Sequence, residues 1–367
     1  MRLVALGFRG IPDVEGGIET HAQYLYPLLA HQLEEVHVTA RSRYVATDEP
    51  YEFENVTVAP LQAGSIGFLE NFRHSIASLL YAKRVSADLA HIHGIGPALL
   101  LPLAKLLGLR VLVTHHGKDY EAEKWNLVQR WLLRTGEWVA ARMADAIVTV
   151  SPDLRSHIEN RYSRTATFIP NGVPPARLDN GDTVLRELNL QSGRFVIEVA
   201  RITEHKRQLD LIEAFLARPR NDWKLVIVGN NESGDRYTEA VCAAAERSDH
   251  IVLTGFRSGA ELAQLYEHAG VFCLPSSYEG MPLAVLEAMS YGIPVLISDI
   301  AAHRQFELAD CHYHSLGNTR ELDGRLSHLM SNAADECLRN SMQATTHRYS
   351  WQNIADQTMK VIQSDLG

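Results

Sequence analysis

Short apolar runs alternate along the chain with longer stretches in which apolar residues return every third or fourth position, so strand-like and helix-like segments take turns. In the first half, residues 3–8, 36–40, 56–61, 89–93, 110–115 and 146–151 read as strands, and 18–31, 68–84, 97–107 and 125–142 as helices. The 68–84 segment is amphipathic, with Leu69, Phe72, Ile76, Leu79 and Leu80 on one stripe. Ile169-Pro170-Asn171-Gly172-Val173-Pro174-Pro175 and Asp179-Asn180-Gly181-Asp182 interrupt the rhythm, as a linker would. It then restarts, with strands at 195–200, 224–229, 251–255, 271–274 and 295–299 and helices at 208–216, 237–247 and 261–268. Such alternation predicts a parallel sheet with helices on both faces, built twice. The expected division is a domain over 1–170, a linker over 171–182, a second domain over 183–350 and a terminal helix over 351–367, with a cleft between the two domains. Trp351, Ile354, Ala355, Thr358, Met359 and Ile362 form one apolar stripe, so the terminal helix must pack on another element; the domain junction, with a return to the N-terminal domain, is the candidate.

One stretch of the second half carries the most chemistry. The run Val271-Phe272-Cys273-Leu274 leads into turn formers from Ser276 to Gly280, and Pro282 stands where a first helical residue is expected. The following helix is apolar on nearly every face except at Glu287, in its second turn, while Glu279 precedes it. Two carboxylates therefore flank a strand–loop–helix junction, where an open α/β sheet binds ligands. A purely structural reading has Glu279 capping the helix and Glu287 in a salt bridge. Capping accounts for Glu279, because anions are favoured at a helix N-terminus, but not for Glu287.

Other candidates lie at predicted strand ends. Gly16-Gly17 precedes the first helix, where backbone N–H groups can hold phosphate, although Gly7, Gly10, Gly16 and Gly17 do not form G-x-G-x-x-G; a turn without a ligand is an equal alternative. Arg201 follows the 195–200 strand and Lys206 opens the next helix, a pair suited to a diphosphate or, less interestingly, an exposed basic pair. His93, His115 and His116 end two adjacent strands without metal-ligand spacing, which favours hydrogen bonding to a substrate over a metal; Asp119 and Glu121 follow as acceptor-side candidates.

Composition narrows the class. The 367 residues carry a formal net charge of −9, which argues against general nucleic-acid binding. The charge is uneven: residues 1–170 hold 17 basic and 18 acidic side chains, yet 73–142 hold ten basic and five acidic. Four scattered cysteines form no C-x-x-C pair and fit a reducing cytoplasm. The chain opens directly on a strand-like segment, so no signal peptide is expected, and no apolar run is long enough to span a bilayer.

Taken together, Glu279-Gly280-Met281-Pro282, Glu287-Ala288-Met289 and Gly292-Ile293-Pro294-Val295 resemble the Glu-x7-Glu signature of family 4 glycosyltransferases of the GT-B fold. In chain order, Gly16-Gly17 is similar to the family's N-terminal glycine loop, His116-Gly117 to its acceptor-side His-Gly and Pro170-Asn171-Gly172-Val173 to its domain-joining P-N-G-V. Arg201 and Lys206 are similar to its diphosphate-binding pair, and Gly255-Phe256 to its nucleobase segment. Ala200 and Arg207 depart from the family's glycines before the Arg and after the Lys, which implies a tighter phosphate loop. Gly10-Ile11-Pro12, Gly16-Gly17-Ile18-Glu19-Thr20, His116-Gly117-Lys118-Asp119-Tyr120 and Lys124-Trp125 further resemble a bacterial subgroup that includes rhamnosyltransferases of cell-surface polysaccharide assembly.

The resemblance implies two Rossmann-like domains and retaining transfer of a hexosyl-class sugar from a nucleotide-diphosphate sugar to a glycan or lipid-linked acceptor, with no cofactor and no metal. Gly16, Gly17, Arg201, Lys206, Phe256, Glu279, Gly280, Met281, Pro282, Leu283 and Glu287 would bind the donor. Glu287 would hold the ribose and Glu279 the sugar, while Arg201 and Lys206 would stabilise the leaving diphosphate. Catalytic roles fall to Glu279, His116, Arg201 and Lys206, and the acceptor side to His93, His116 and Asp119. No protein nucleophile is implied; a donor phosphate oxygen takes the acceptor's proton. The basic, amphipathic 68–84 and 125–142 segments raise contact with the inner leaflet of the membrane, against the plainer reading that they cover the sheet. A nucleotide-sugar epimerase and an inactive nucleotide-sugar-binding module on the same scaffold stay open; an NAD-dependent dehydrogenase is disfavoured by the missing glycine fingerprint.

Overall fold

A computed structural model describes the chain except at residues 65–67, 122–124, 177–178, 180, 221, 231–234 and 367 and the side chains of 68 and 69. Leu69 of the amphipathic stripe, Lys124 and part of the expected linker, including Asn180, thus lie outside the described residues. The chain divides into two units, one of residues 1–172 with 349–367 and one of residues 173–348.

The first unit is built from β1 (Arg2–Leu6), α1 (Gly17–Ala30), β2 (Glu35–Arg41), β3 (Tyr51–Phe53), β4 (Val56–Leu61), α2 (Phe68–Arg84), β5 (Leu89–His93), α3 (Leu101–Leu106), β6 (Arg110–His115), α4 (Leu127–Met143), β7 (Ala146–Thr149), α5 (Pro152–Tyr162) and β8 (Thr167–Phe168). Its sheet order is β3-β4-β2-β1-β5-β6-β7-β8. Every pairing is parallel except β3 with β4. Strand order reverses between β1 and β5, so the loops after these two strands flank the crevice where such sheets take ligands. Buried Val4, Leu6, Ile92, Val111, Val113 and Ile147 meet Leu79, Ala104, Val139 and Ala140 of the covering helices.

The first unit departs from the sequence pattern at three places. The 97–107 segment is not one helix. It is a 3-10 turn, Pro97–Leu100, and then α3, because Pro102 sits in the first turn of α3 and brings no N–H to bond back. The short antiparallel β3 was not anticipated. Nor was α5, which buries only Leu154 and Ile158 and so lacks an apolar stripe; its signal was the Ser151 cap, whose Oγ accepts the Leu154 N–H at 3.3 Å, followed by Pro152.

The terminal helix, Trp351–Leu366, lies in this unit. Trp351 stacks on Tyr24 (5.7 Å, 14°) and meets the His21 ring edge-on. It packs so closely over Gly172 that a Cβ there would come 2.3 Å from the indole. With Asn171 bonded to His21, this explains why 171 and 172 join the first unit rather than a linker.

The second unit comprises α6 (Thr183–Glu187), β9 (Phe195–Val199), α7 (Gln208–Leu216), β10 (Lys224–Val228), α8 (Arg236–Ala245), β11 (Ile251–Gly255), α9 (Gly259–His268), β12 (Val271–Leu274), α10 (Leu283–Ser290), β13 (Val295–Ser298), α11 (Ala301–Arg304), β14 (Tyr313–His314), α12 (Thr319–Ser331) and α13 (Glu336–Thr346). Its all-parallel sheet runs β11-β10-β9-β12-β13-β14. The order reverses between β9 and β12, which places the loop carrying Arg201 and Lys206 beside the loop carrying Glu279. Pro282 is the residue before α10 rather than its first, because its backbone is extended (φ −73°, ψ 112°).

Candidate active site

In the second unit, the loops after β9 and β12 are clipped together: the Ser277 N–H donates to the His205 carbonyl at 2.8 Å. Across this clip, Lys206 Nζ meets Glu279 Oε1 at 2.5 Å, both side chains being largely buried. Burial pushes the Glu279 carboxyl up, but Lys206 outweighs it and holds the group below its usual range. Glu279 therefore does not cap α10, which has no side-chain cap. Arg201 is exposed in the same loop. Lys206 does not open α7 but ends a 3-10 turn, Glu204–Lys206.

Among the described residues Glu287 has no salt-bridge partner. Its Oε2 accepts the Tyr266 hydroxyl at 2.9 Å, and burial raises its pKa. Tyr266 is itself fixed by stacking on Tyr291 (5.4 Å) and Phe272. Gly280, Met281, Pro282 and Leu283 form the turn into α10; Met281 and Leu283 are buried, and the Gly280 carbonyl accepts from Gln305 Nε2 at 3.3 Å. Phe256, just past β11, is 46% exposed, an unusual state for a phenyl ring and one that leaves a face for stacking.

Sequence reasoning missed Glu198. It lies inside β9, fully buried, with neither carboxyl oxygen hydrogen-bonded among the described residues, and burial raises its pKa far above the usual range despite nearby Lys206. A charged residue in an otherwise apolar strand was the available signal.

In the first unit, Gly16 precedes α1 in a left-handed conformation (φ +141°) and Gly17 begins the helix. Glu19 folds back over this loop, so a Cβ on Gly16 would lie 2.0 Å from its carboxylate, and it accepts the Arg9 N–H at 2.9 Å. His93 and His116 come together as expected: His93 Nδ1 and His116 Nε2 lie 2.8 Å apart, one ring's N–H donating to the other's bare nitrogen, and the rings stack at 5.1 Å. The chain continues inward, from His93 Nε2 to Tyr26 Oη, from there to His91 Nδ1 at 2.9 Å, and from His91 Nε2 to Thr114 Oγ1 at 2.7 Å. His21 completes the cluster through Nδ1, 2.9 Å from Asn171 Oδ1, while its buried Nε2 has no hydrogen-bond partner among the described residues. Burial drives His21 down to about 4, His91 to about 3, and His93 and His116 well below their usual value, so these imidazoles are neutral. Nitrogens of His21, His93 and His116 lie within 4.8 Å of one another, a spacing that would also admit a metal ion. Asp119, by contrast, is exposed in a 3-10 turn, and Glu121 with it.

His115 points elsewhere. Its Nε2 donates at 2.9 Å to Glu137, a fully buried carboxylate on α4 that also accepts from Tyr162 (2.6 Å) and His157 (3.2 Å). Burial opposes the charge, yet these bonds hold Glu137 down to about 2. The single acid on the inward stripe of Leu133, Gly136, Ala140 and Ala141 was its unread signal.

Residues 15–177 match the family model described as Glycosyltransferase Family 4, and residues 184–307 the one described as Glycosyl transferases group 1. The chain is a family 4 glycosyltransferase. This glycosyltransferase is 26% identical over 302 residues to the UDP-Gal:alpha-D-GlcNAc-diphosphoundecaprenol alpha-1,3-galactosyltransferase of Escherichia coli, covering 77% of this chain and 76% of that one. It is 26% identical over 317 residues to the GDP-mannose:cellobiosyl-diphosphopolyprenol alpha-mannosyltransferase of Xanthomonas campestris, covering 82% and 80%. Sucrose-phosphate synthase from Thermosynechococcus elongatus superposes with a TM-score of 0.84 at 19% identity, over 99% of this chain and 98% of that one, a likeness that shows the GT-B fold.

Proposed function

We propose that this glycosyltransferase moves a sugar from a nucleotide-diphosphate sugar to a saccharide carried on a lipid diphosphate, with retention of anomeric configuration and without a metal ion. The observation that carries this reading is the Lys206–Glu279 pair at the strand-order reversal of the second unit. Donor binding turns Lys206 and the exposed Arg201 toward the diphosphate, where two cations replace the metal such a leaving group otherwise needs. Glu279, released from Lys206, accepts hydroxyls of the sugar. The Glu287 oxygen not engaged by Tyr266 accepts from the ribose, and Phe256 offers its face to the base. Gly16 and Gly17 place backbone N–H groups at the start of α1 for the donor's phosphate or sugar.

The bond from the anomeric carbon to the diphosphate oxygen breaks as the acceptor oxygen bonds to the same face, and the acceptor's proton passes to that diphosphate. His116, neutral and anchored by His93, supplies a hydrogen-bonding edge for the sugar or acceptor hydroxyls. No protein nucleophile takes part. The two relatives, named for transfer to diphosphate-linked polyprenols, support a lipid-linked acceptor and bacterial polysaccharide assembly.

Such an acceptor lies at a membrane, and no helix among the described residues is long and apolar enough to cross one. The membrane-facing element we propose is α4. Leu127, Val128, Trp131 and Trp138 are half or more exposed, Arg134 and Arg142 lie among them, and the helix's one acid, Glu137, is buried. Exposed tryptophans flanked by arginines suit the anionic inner face of a bilayer. Flotation with anionic liposomes tests this; protein remaining at the bottom rejects it.

Calorimetric titration with UDP, GDP and dTDP, each with and without magnesium and after EDTA treatment, tests the donor site. Binding of one nucleotide that survives EDTA supports the reading. Product analysis with donor alone and with a lipid-diphosphate saccharide separates transfer from epimerisation and from inert binding.

A further inference from the structure

One cavity is used by none of the roles above. A pocket of about 420 Å³ in the first unit is lined by Lys118, Asp153, Ser156, His157, Asn160 and Arg161. Five of these lie on α5 at positions i, i+3, i+4, i+7 and i+8, the spacing of a single helix face. That spacing ordinarily carries the apolar stripe that buries a helix; here the stripe is wholly polar and faces a pocket. The sixth residue, Lys118, comes from the loop after β6, two residues beyond His116. The pocket thus opens where parallel strands β6 and β7 end, the side of such a sheet that takes ligands.

Its lining selects an anion. Lys118 and Arg161 set two full positive charges against the one of Asp153, which pairs with Lys118 at 3.3 Å, and Ser156 and Asn160 add neutral donors. His157 is fixed at the wall through Nε2, 3.2 Å from the buried Glu137. The same Glu137 holds His115, so the pocket and the His116 turn share one buried anchor. Tyr120 links the pocket to α4: its hydroxyl lies 3.2 Å from His157 Nε2, and its ring lies under the Arg134 guanidinium at 5.1 Å. An anion in the pocket would therefore lie one residue, Tyr120, away from Arg134 of α4, the helix that exposes Leu127, Val128 and Trp131.

We infer that this pocket holds the diphosphate of a prenyl-diphosphate acceptor, its apolar chain running along α4. The volume suits a diphosphate with its first carbons, since ligand pockets span about 300–1,000 Å³. The inference rests on the lipid-diphosphate acceptor reading and adds where that group sits.

The test titrates the full chain with farnesyl diphosphate, farnesol, inorganic pyrophosphate and the nucleoside diphosphates, as wild type and as Arg161→Glu and Ser156→Glu, both at exposed positions. Farnesyl diphosphate is expected to bind at least tenfold more tightly than farnesol or pyrophosphate. Each variant should lose at least tenfold of that affinity while keeping its melting temperature and its nucleoside-diphosphate affinity. Unchanged farnesyl diphosphate binding in both variants overturns the pocket. Pyrophosphate binding as tightly as farnesyl diphosphate, and lost in the variants, overturns the lipid as its source. Failure of every nucleoside diphosphate to bind sinks the transferase reading instead, so the two failures are told apart.

Discussion

Lys206 Nζ lies 2.5 Å from Glu279 Oε1, and this one contact ties the loop after β9 to the loop after β12 at the point where the sheet reverses its order. Both charges are largely out of water, so neither is stable there alone. Removing one partner of a buried pair costs about 3–5 kcal/mol, whereas removing both costs far less. Lys206→Ala should therefore destabilise the second unit by about 3 kcal/mol and weaken nucleoside-diphosphate binding at least tenfold. Lys206→Ala/Glu279→Gln should recover most of the stability and none of the binding. Urea unfolding and calorimetry read the two effects separately, and a double variant no more stable than the single would show that the pair is not what holds the loops.

Glu287→Gln should keep the fold, since glutamine can still accept from Tyr266, but lose charge-assisted acceptance from a ribose. Nucleoside-diphosphate affinity should fall about tenfold, the ~1.5 kcal/mol of one charged hydrogen bond. The 2′-deoxy analogue should lose less. Equal losses for ribose and deoxyribose ligands would remove Glu287 from the sugar.

Much of this was legible in the chain because alternating short and long hydrophobic periods fix a parallel α/β fold, and because charges embedded in apolar context, as at Glu287, need a purpose. What escaped reading was inverted in character. Helix α5 shows no apolar stripe because its organised face is polar and lines a pocket. Glu137 and Glu198 are acids buried within elements, and their importance lies in partners, or missing partners, distant in sequence. Tyr26 and His91 sit in plain secondary structure and acquire meaning only when β5, β6 and α1 bring them to His93. Period and local chemistry reveal elements and loops, whereas a hydrogen-bond chain across three elements requires their packing.

Arg207 stands where the resemblance to the family implies a glycine, and its backbone is left-handed (φ +57°). A non-glycine residue there costs about 1 kcal/mol, only partly offset by its bond to Asp210 at 2.7 Å, a partly buried pair three residues apart. Arg207→Gly should raise the stability of the second unit by about 0.5 kcal/mol, read from its melting temperature. A drop of 1 kcal/mol or more would mean that the Asp210 contact outweighs the backbone strain.

The buried histidines of the first unit make its stability depend on pH in a definite direction. Free in an unfolded chain, each imidazole takes a proton near pH 6.5. In the fold, burial holds His21 down to about 4 and His91 to about 3, with His93 and His116 also well below. A depressed histidine favours the fold at pH values above 6.5, and that contribution is lost as pH falls from 6.5 toward about 4, where the unfolded chain binds the extra protons. The slope is about 1.4 kcal/mol per pH unit for each such ring. Trp125, Trp131, Trp138 and Trp351 belong to the first unit and Trp223 alone to the second, so indole fluorescence reports chiefly on this unit. Denaturant unfolding followed by fluorescence should lose stability steeply between pH 6.5 and 5. Tyr26→Phe should cost a further 1–3 kcal/mol, roughly, by stranding His93 Nε2, and should lower kcat while leaving nucleoside-diphosphate affinity intact. A flat profile from pH 6.5 to 5 would mean that these rings already share a proton in the native state, and His116 would then meet its substrate as a cation rather than as a neutral hydrogen-bonding edge.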